Sequence, residues 1–222
     1  MEYLELLKRC LTRSFDREVV GHDWPEHAET MVGLGRLDNI QWCLEAIIKD
    51  NVPGDFIECG VWRGGACIFA KAVLDELQSD RRVVVADSFC GFPQPKLNWD
   101  KGANFLGAPE LQVSEEEVKK NFQKYGYLDE RVVFVKGYFE DSLPKLDGTF
   151  AVVRADGDLF ESTVNVLEYL YPKLSIGGYM IIDDYHAMKC CEAAVTQYRQ
   201  MFHIHATIKE IDGVGVYWQK EK

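Results

Sequence analysis

The sequence has no basic cluster, no apolar run long enough to cross a bilayer and no CxxC pair. Each absence removes a class of function. A net charge of −11 without a basic face argues against a general nucleic-acid binder, because phosphate contacts draw on Lys and Arg. The expected partner is a neutral or cationic small molecule. A membrane-spanning helix needs about 20 apolar residues, and the start, Met1-Glu2-Tyr3, lacks the basic and apolar regions of a secretory signal. A cytoplasmic protein with no membrane partner is expected. The seven cysteines are odd in number, and Cys43, Cys59, Cys67 and Cys190 fall inside predicted strands and helices. They read as buried thiols in a reducing compartment, not as a disulfide framework or a zinc site. Repeats and low-complexity stretches are also missing. Residues 1–222 are therefore expected to form a single α/β domain, with a helical segment over 1–50 ahead of a core over 51–222.

What is present is an alternation of strands and helices. Apolar residues at 3, 4, 7, 11 and 15 have roughly helical spacing, and Leu37, Ile40, Leu44, Ile47 and Ile48 share a helix face that ends at Asn51-Val52-Pro53-Gly54. Between them, residues 16–29 form a polar loop in which Trp24 either closes over a site or pins the loop to the body. Strands are expected over 55–59, 82–86, 132–135, 150–153 and 179–182, with helices over 66–77, 114–125, 161–170 and 188–201. Ser114-Glu115-Glu116-Glu117 fits the capping box. Asp212-Gly213 between two β-branched and aromatic stretches, 204–211 and 214–219, signals an antiparallel hairpin. An all-parallel NAD-binding fold would not end this way, whereas methyltransferases that use S-adenosylmethionine (SAM) do.

Chemistry concentrates at strand ends. After the first strand comes Gly60-Val61-Trp62-Arg63-Gly64-Gly65, which departs from the GxGxxG spacing of a dinucleotide site. Asp87 follows the second strand, where an acidic residue commonly accepts hydrogen bonds from a ribose. Residues 88–113 hold three prolines and three glycines without a clear period and are expected to form part of a substrate wall. The fourth strand ends in Asp156-Gly157-Asp158 and the fifth in Asp183-Asp184. Four carboxylates at neighbouring strand ends would repel one another unless a cation sat between them, and a hard divalent ion such as Mg²⁺ suits oxygen ligands. Asp156 and Asp158, two apart, share a face of an extended chain, whereas Asp183 and Asp184 converge only if the chain bends. A single pair could be a helix cap or a solvated turn; two pairs ending adjacent buried strands make that reading weaker. His186 is a second candidate base, with a structural, hydrogen-bonded histidine as the plainer reading.

The segments VPGDFIECGVWRGGACIF (52–69), VVVADSFCGFP (83–93), YGYLDERVVFVKGYFEDSLP (125–144), VVRADGDLFEST (152–163), LYPKLSIGGYMIIDDY (170–185) and VYW (216–218) resemble the macrocin O-methyltransferase family, as do DWP (23–25) and TMVGLGRLDNIQ (30–41). That resemblance implies a class I SAM-binding α/β fold, a required Mg²⁺ and methyl transfer to a hydroxyl of a natural-product sugar. By position it implies Asp156, Asp183 and Asp184 as metal ligands and Asp158 as the general base. It implies SAM contacts from Glu58, Cys59, Gly60, Val61, Trp62, Gly64, Asp87, Ser88, Phe139 and Asp156, with Thr30 and Met31 in an N-terminal lid. The family usually has leucine where Ala155 stands, and residues 95–112 match it poorly. The implied acceptor is a small molecule with adjacent hydroxyls. The sequence is compatible with a homo-oligomer.

Asp-x-Asp also occurs in metal-dependent sugar-nucleotide glycosyltransferases, the alternative reading. Arg63 is the one basic residue in the first glycine-rich turn available to meet a phosphate there. A non-catalytic binding domain would keep the fold but would have no use for an aspartate cluster at the sheet edge.

Overall fold

The computed structural model describes residues 2–221 apart from 17, 20–22, 102 and 104, so part of the 16–29 loop lies outside the described residues. Strands β1 (Asp55–Cys59), β2 (Val83–Asp87), β3 (Val132–Lys136), β4 (Phe150–Ala155), β5 (Leu174–Ile182), β6 (Lys209–Glu210) and β7 (Val216–Gln219) form one sheet in the order β3-β2-β1-β4-β5-β7-β6. The first five pair in parallel; β7 runs antiparallel to β5, and β6 antiparallel to β7. This is the class I methyltransferase arrangement expected from the sequence.

Helices α1 (Glu2–Thr12), α2 (Leu34–Lys49), α3 (Gly65–Glu76), α4 (Glu115–Lys124), α5 (Phe139–Ser142), α6 (Phe160–Leu170) and α7 (Lys189–Met201) complete the described chain. Successive strand residues face opposite sides. Phe56, Val83, Val85 and Val152 therefore join α1, α2, α3 and α4 in one core layer, while Ile57, Val84, Val153 and Met180 join α6 and α7 in the other. Burial on both faces explains why the parallel strands read as unbroken apolar runs. Ser114 caps α4 as expected, its Oγ accepting from the Glu117 amide at 3.2 Å.

Two boundaries differ from the sequence expectation. β5 begins at Leu174, before the Gly177-Gly178 pair that reads as a turn. Those glycines are drawn into the sheet by the chain end: Gly177 donates to Lys220 O at 2.7 Å, and Lys220 donates to Gly178 O at 2.8 Å. The first hairpin arm shrinks to two residues, because Asp212 Oδ1 accepts from the amides of Val214 and Gly215 and widens the turn. Residues 204 and 208 instead pack against the α6–α7 layer. Ala155 is buried in the sheet. Five of the cysteines are buried, Cys10 is half-buried, and Cys90 is exposed in the loop after β2. Among the described residues no helix is long and apolar enough to cross a membrane.

Candidate functional site

Strand order reverses between β1 and β4, which opens a crevice at the carboxyl edge of the sheet. A cleft of about 290 Å³ lies there, reached by the ends of all five parallel strands. Its first wall is the β1–α3 turn. Gly60 has φ +89°, and a Cβ at that position would lie 1.7 Å from the carbonyl oxygen of Asp156. Only glycine lets the turn and the end of β4 come this close. Gly64, also left-handed, precedes α3, and a Cβ on Gly65 would strike the backbone of Glu29 at 2.6 Å.

That second contact brings the N-terminal segment onto the turn. The Arg63 guanidinium donates to the carbonyls of Pro25, Glu26 and Ala28 at 2.7–3.0 Å. Glu29 accepts from Lys124 at 2.6 Å and from the Tyr125 hydroxyl at 2.8 Å. Trp24, Thr30, Met31 and Val32 consequently line the cleft, so Trp24 faces the site. Glu58, Gly60, Val61, Trp62, Asp87, Ser88 and Phe139 line it too. Cys59 and Gly64 do not: Cys59 is fully buried in the α6–α7 layer, and Gly64 shapes the turn behind the wall. The Asp87 carboxylate accepts from the amides of Val61 at 2.8 Å and Phe89 at 2.7 Å. Burial pushes its pKa up, against the pull of those amides.

The floor is acidic. One carboxylate oxygen each from Asp156, Asp158 and Asp184 lie within 4.8 Å of one another. Asp158 reaches the group from a left-handed backbone (φ +54°), and its amide donates to Asp184 Oδ2 at 3.1 Å. Burial, followed by repulsion from nearby carboxylates, pushes all three groups upward, Asp158 to about 7. Three crowded oxygens that resist ionisation are a fitting donor set for a hard divalent cation.

Asp183 is not in this trio. It lines the cleft just past the end of β5, but its two oxygens accept from Arg36 and Arg154. The metal-ligand role expected for Asp183 therefore meets a carboxylate already engaged by two guanidinium groups. His186 also lies apart: its Nε2 is 2.9 Å from Glu210 on β6, and it does not line the cleft.

Sequence reasoning passed over Arg154, which is fully buried and donates to Glu58, Asp156 and Asp183, from three adjacent strands. An arginine inside the run 150–155 was the available signal, since a buried guanidinium needs anionic partners. Arg36 ties the same cluster to α2 and, at 2.9 Å, to Asp212 of the hairpin turn. Glu58 accepts a second bond, from the Cys67 thiol at 2.7 Å.

Described residues of the 88–113 stretch form the outer wall of the cleft. Gly91, Phe92, Pro93, Lys96, Phe105 and Leu111 line the cleft. Phe92 and Phe105 meet edge to face at 5.1 Å, and Lys96 pairs with Glu140 and, at 3.4 Å, with Glu161. The Trp62 indole donates to Glu110 O at 2.7 Å, joining this wall to the β1–α3 turn.

Comparison with known proteins agrees with this layout. Residues 7–220 match the family described as Macrocin-O-methyltransferase (TylF). The chain is 45% identical to the 8-demethyl-8-(2,3-dimethoxy-alpha-L-rhamnosyl)-tetracenomycin-C 4'-O-methyltransferase of Streptomyces olivaceus, covering 98% of this chain and 92% of the relative. It is 48% identical to the demethyldecarbamoylnovobiocin O-methyltransferase of Streptomyces niveus, over 91% of this chain and 79% of the relative. The structure of the O-methyltransferase NovP superposes with a TM-score of 0.96 at 44% identity, covering 100% of this chain and 99% of that one. The glycosyltransferase alternative finds no support in these relatives. With its sheet order and nearly all of its length matched, this chain belongs to the macrocin O-methyltransferase family.

Proposed function

We propose that the protein transfers a methyl group from SAM to a hydroxyl of a sugar on a natural product, with a divalent cation, Mg²⁺ foremost, held at the acidic floor. The observation that carries the metal reading is the meeting of Asp156, Asp158 and Asp184 oxygens within 4.8 Å at the bottom of the cleft. Relatives named for methylating a rhamnosylated tetracenomycin and a novobiocin precursor support the acceptor class. SAM would lie along the ends of β1 and β2, between Trp62 and Asp87, under Thr30 and Met31.

SAM carries its methyl on a sulfonium and so supplies the electrophile. A coordinated cation acidifies the hydroxyl bound beside it. The protein's own residues supply placement and the base. Asp156 and Asp184 enter from neighbouring strands and aim at one point; Arg154 holds Asp156 from behind at 2.6 Å. Asp158 stands in the same cluster, its carboxyl raised to about 7 in the metal-free protein, and is the group we assign to take the hydroxyl proton. Phe92 and Phe105 would give the acceptor side an apolar surface. Asp156 and Asp184 are ligands both by distance and by resemblance. The third is Asp158 by distance and Asp183 by resemblance, and Mg²⁺ affinity of Asp158→Asn against Asp183→Asn distinguishes the two.

The test is transfer of labelled methyl from SAM to demethyldecarbamoylnovobiocin and to a panel of rhamnosylated aromatic polyketides, with Mg²⁺ or with EDTA. Expected are SAM binding by calorimetry, no binding of UDP-sugars or NAD, and turnover that EDTA abolishes and Mg²⁺ restores. Full turnover in EDTA would remove the metal from the proposal; binding of a UDP-sugar without SAM would remove methyl transfer.

A further inference from the structure

Helix α6 begins directly after the Asp156-Gly157-Asp158 turn, and its own N-cap position cannot serve it. That position is Leu159, which has no side chain able to accept from the first helical amides. The cap comes from 60 residues earlier. Asp100, in the outer wall, accepts from the Phe160 amide at 2.7 Å through Oδ1 and from the Glu161 amide at 3.2 Å through Oδ2. Although it belongs to a surface loop, Asp100 is only 2% exposed. Its neighbours make the same connection. Trp99 stacks on Phe160 with centroids 5.5 Å apart and planes 6° from parallel, and Lys96 pairs with Glu161 at 3.4 Å.

The turn between Asp156 and Phe160 is thereby held from three directions. Asp184 accepts from the Asp158 amide, Cys190 on α7 donates its thiol to the Asp158 carbonyl at 3.4 Å, and Asp100 fixes the amides that follow. These bonds fix Asp158 in a left-handed backbone, which Asp adopts more readily than most residues with a Cβ.

We propose that Asp100 is a positioning residue: by capping α6 from the acceptor wall, it sets the Asp158 turn and couples the seating of that wall to the alignment of the acidic floor. The proposal rests on the reading of Asp158 as base or ligand. A wall displaced by a badly fitting acceptor would withdraw the cap and loosen the turn, so the chemistry would respond to acceptor fit.

The experiment compares Asp100→Ala and Asp100→Asn with the parent chain in three measurements. Amide exchange over 157–162 is followed in the protein alone. Affinity for S-adenosylhomocysteine is read by calorimetry. Turnover is measured on whichever acceptor the wild type methylates. Asp100→Ala is expected to speed exchange at 158–161 by about tenfold or more, to keep S-adenosylhomocysteine affinity within about twofold, and to lower kcat by about tenfold or more. Asp100→Asn, which retains an accepting oxygen, should fall between. Trp99→Ala, which loosens the same contact without removing the cap, serves if Asp100→Ala does not fold. Unchanged exchange at 158–161, or a kcat within about twofold of wild type, overturns the proposal, as does a loss of S-adenosylhomocysteine affinity equal to the loss of kcat. The exchange measurement needs no acceptor and decides the capping role even if methyl transfer itself fails.

Discussion

The two walls of the cleft are built in different ways. The β1–α3 turn sits on one strand–glycine–helix unit within 55–76, and its bonds run both within that unit and out to Glu29, Ala86 and Asp87. Among the described residues of the outer wall, 88–113, regular structure is limited to a short 3₁₀ turn at Pro109–Leu111. It is held by distant partners, Glu140, Phe160 and Trp62 among them. A wall built on a strand–helix junction of the sheet resists change, which suits a donor common to many enzymes. A wall held by a few side-chain contacts can vary while the rest of the site stays fixed.

The comparison is broken most severely at Gly60. Gly60→Ala places a Cβ against the Asp156 carbonyl on a left-handed backbone, and at least about 2–4 kcal/mol of stability should be lost, measured by urea denaturation. An equally disruptive alanine at Gly107, in the outer wall, would contradict the contrast, since a Cβ there meets nothing within 4 Å.

Next is Asp156→Asn, on the floor shared by both walls. It should abolish Mg²⁺-dependent methyl transfer while SAM affinity, read by calorimetry, stays nearly intact. An active variant would count against the metal assignment.

Asp158→Asn sharpens the comparison by separating activity from stability. The folded-state carboxyl titrates near 7, above the ordinary unfolded value of about 3.9. The metal-free fold therefore binds the extra proton between those values, and stability falls as pH rises through that window. Asp158→Asn removes this loss. Its Tm in EDTA at pH 8 should exceed that of the parent by about 2–4 °C, the shift that ~1 kcal/mol produces in a domain of this size, although turnover is lost. A lower Tm at pH 8 would mean that the carboxylate is stabilising.

The smallest effect is expected at Phe105→Ala. It removes the edge-to-face contact with Phe92, worth about 0.5–1.5 kcal/mol, and should raise the acceptor KM by up to about tenfold while leaving SAM affinity unchanged. A changed SAM affinity would show that the walls are not independent.

Much of this was legible before any coordinates. Unbroken apolar runs located every parallel strand, because both sheet faces are buried, and the 3.6-residue period located the larger helices. Asp156, Asp158 and Asp184 were legible as acids at strand ends. Asp183 was legible as an acid but not as a partner of arginine, since Arg36 reaches it from α2 and Arg154 from the neighbouring strand. His186 looked available because its partner, Glu210, lies on a strand that pairs only through the C-terminal hairpin.

The sequence by itself determined the alternation of elements, the apolar layers, the acidic strand ends and, through its motifs, the family. Local propensity and hydrophobic period act over a few residues, so they can be read from neighbours. Only the tertiary structure decided which acids share a floor, which are held by Arg36 and Arg154, and that Asp100 caps a helix 60 residues away. Those outcomes depend on side-chain direction and on distances between strands brought together by folding, and no run of adjacent residues encodes them.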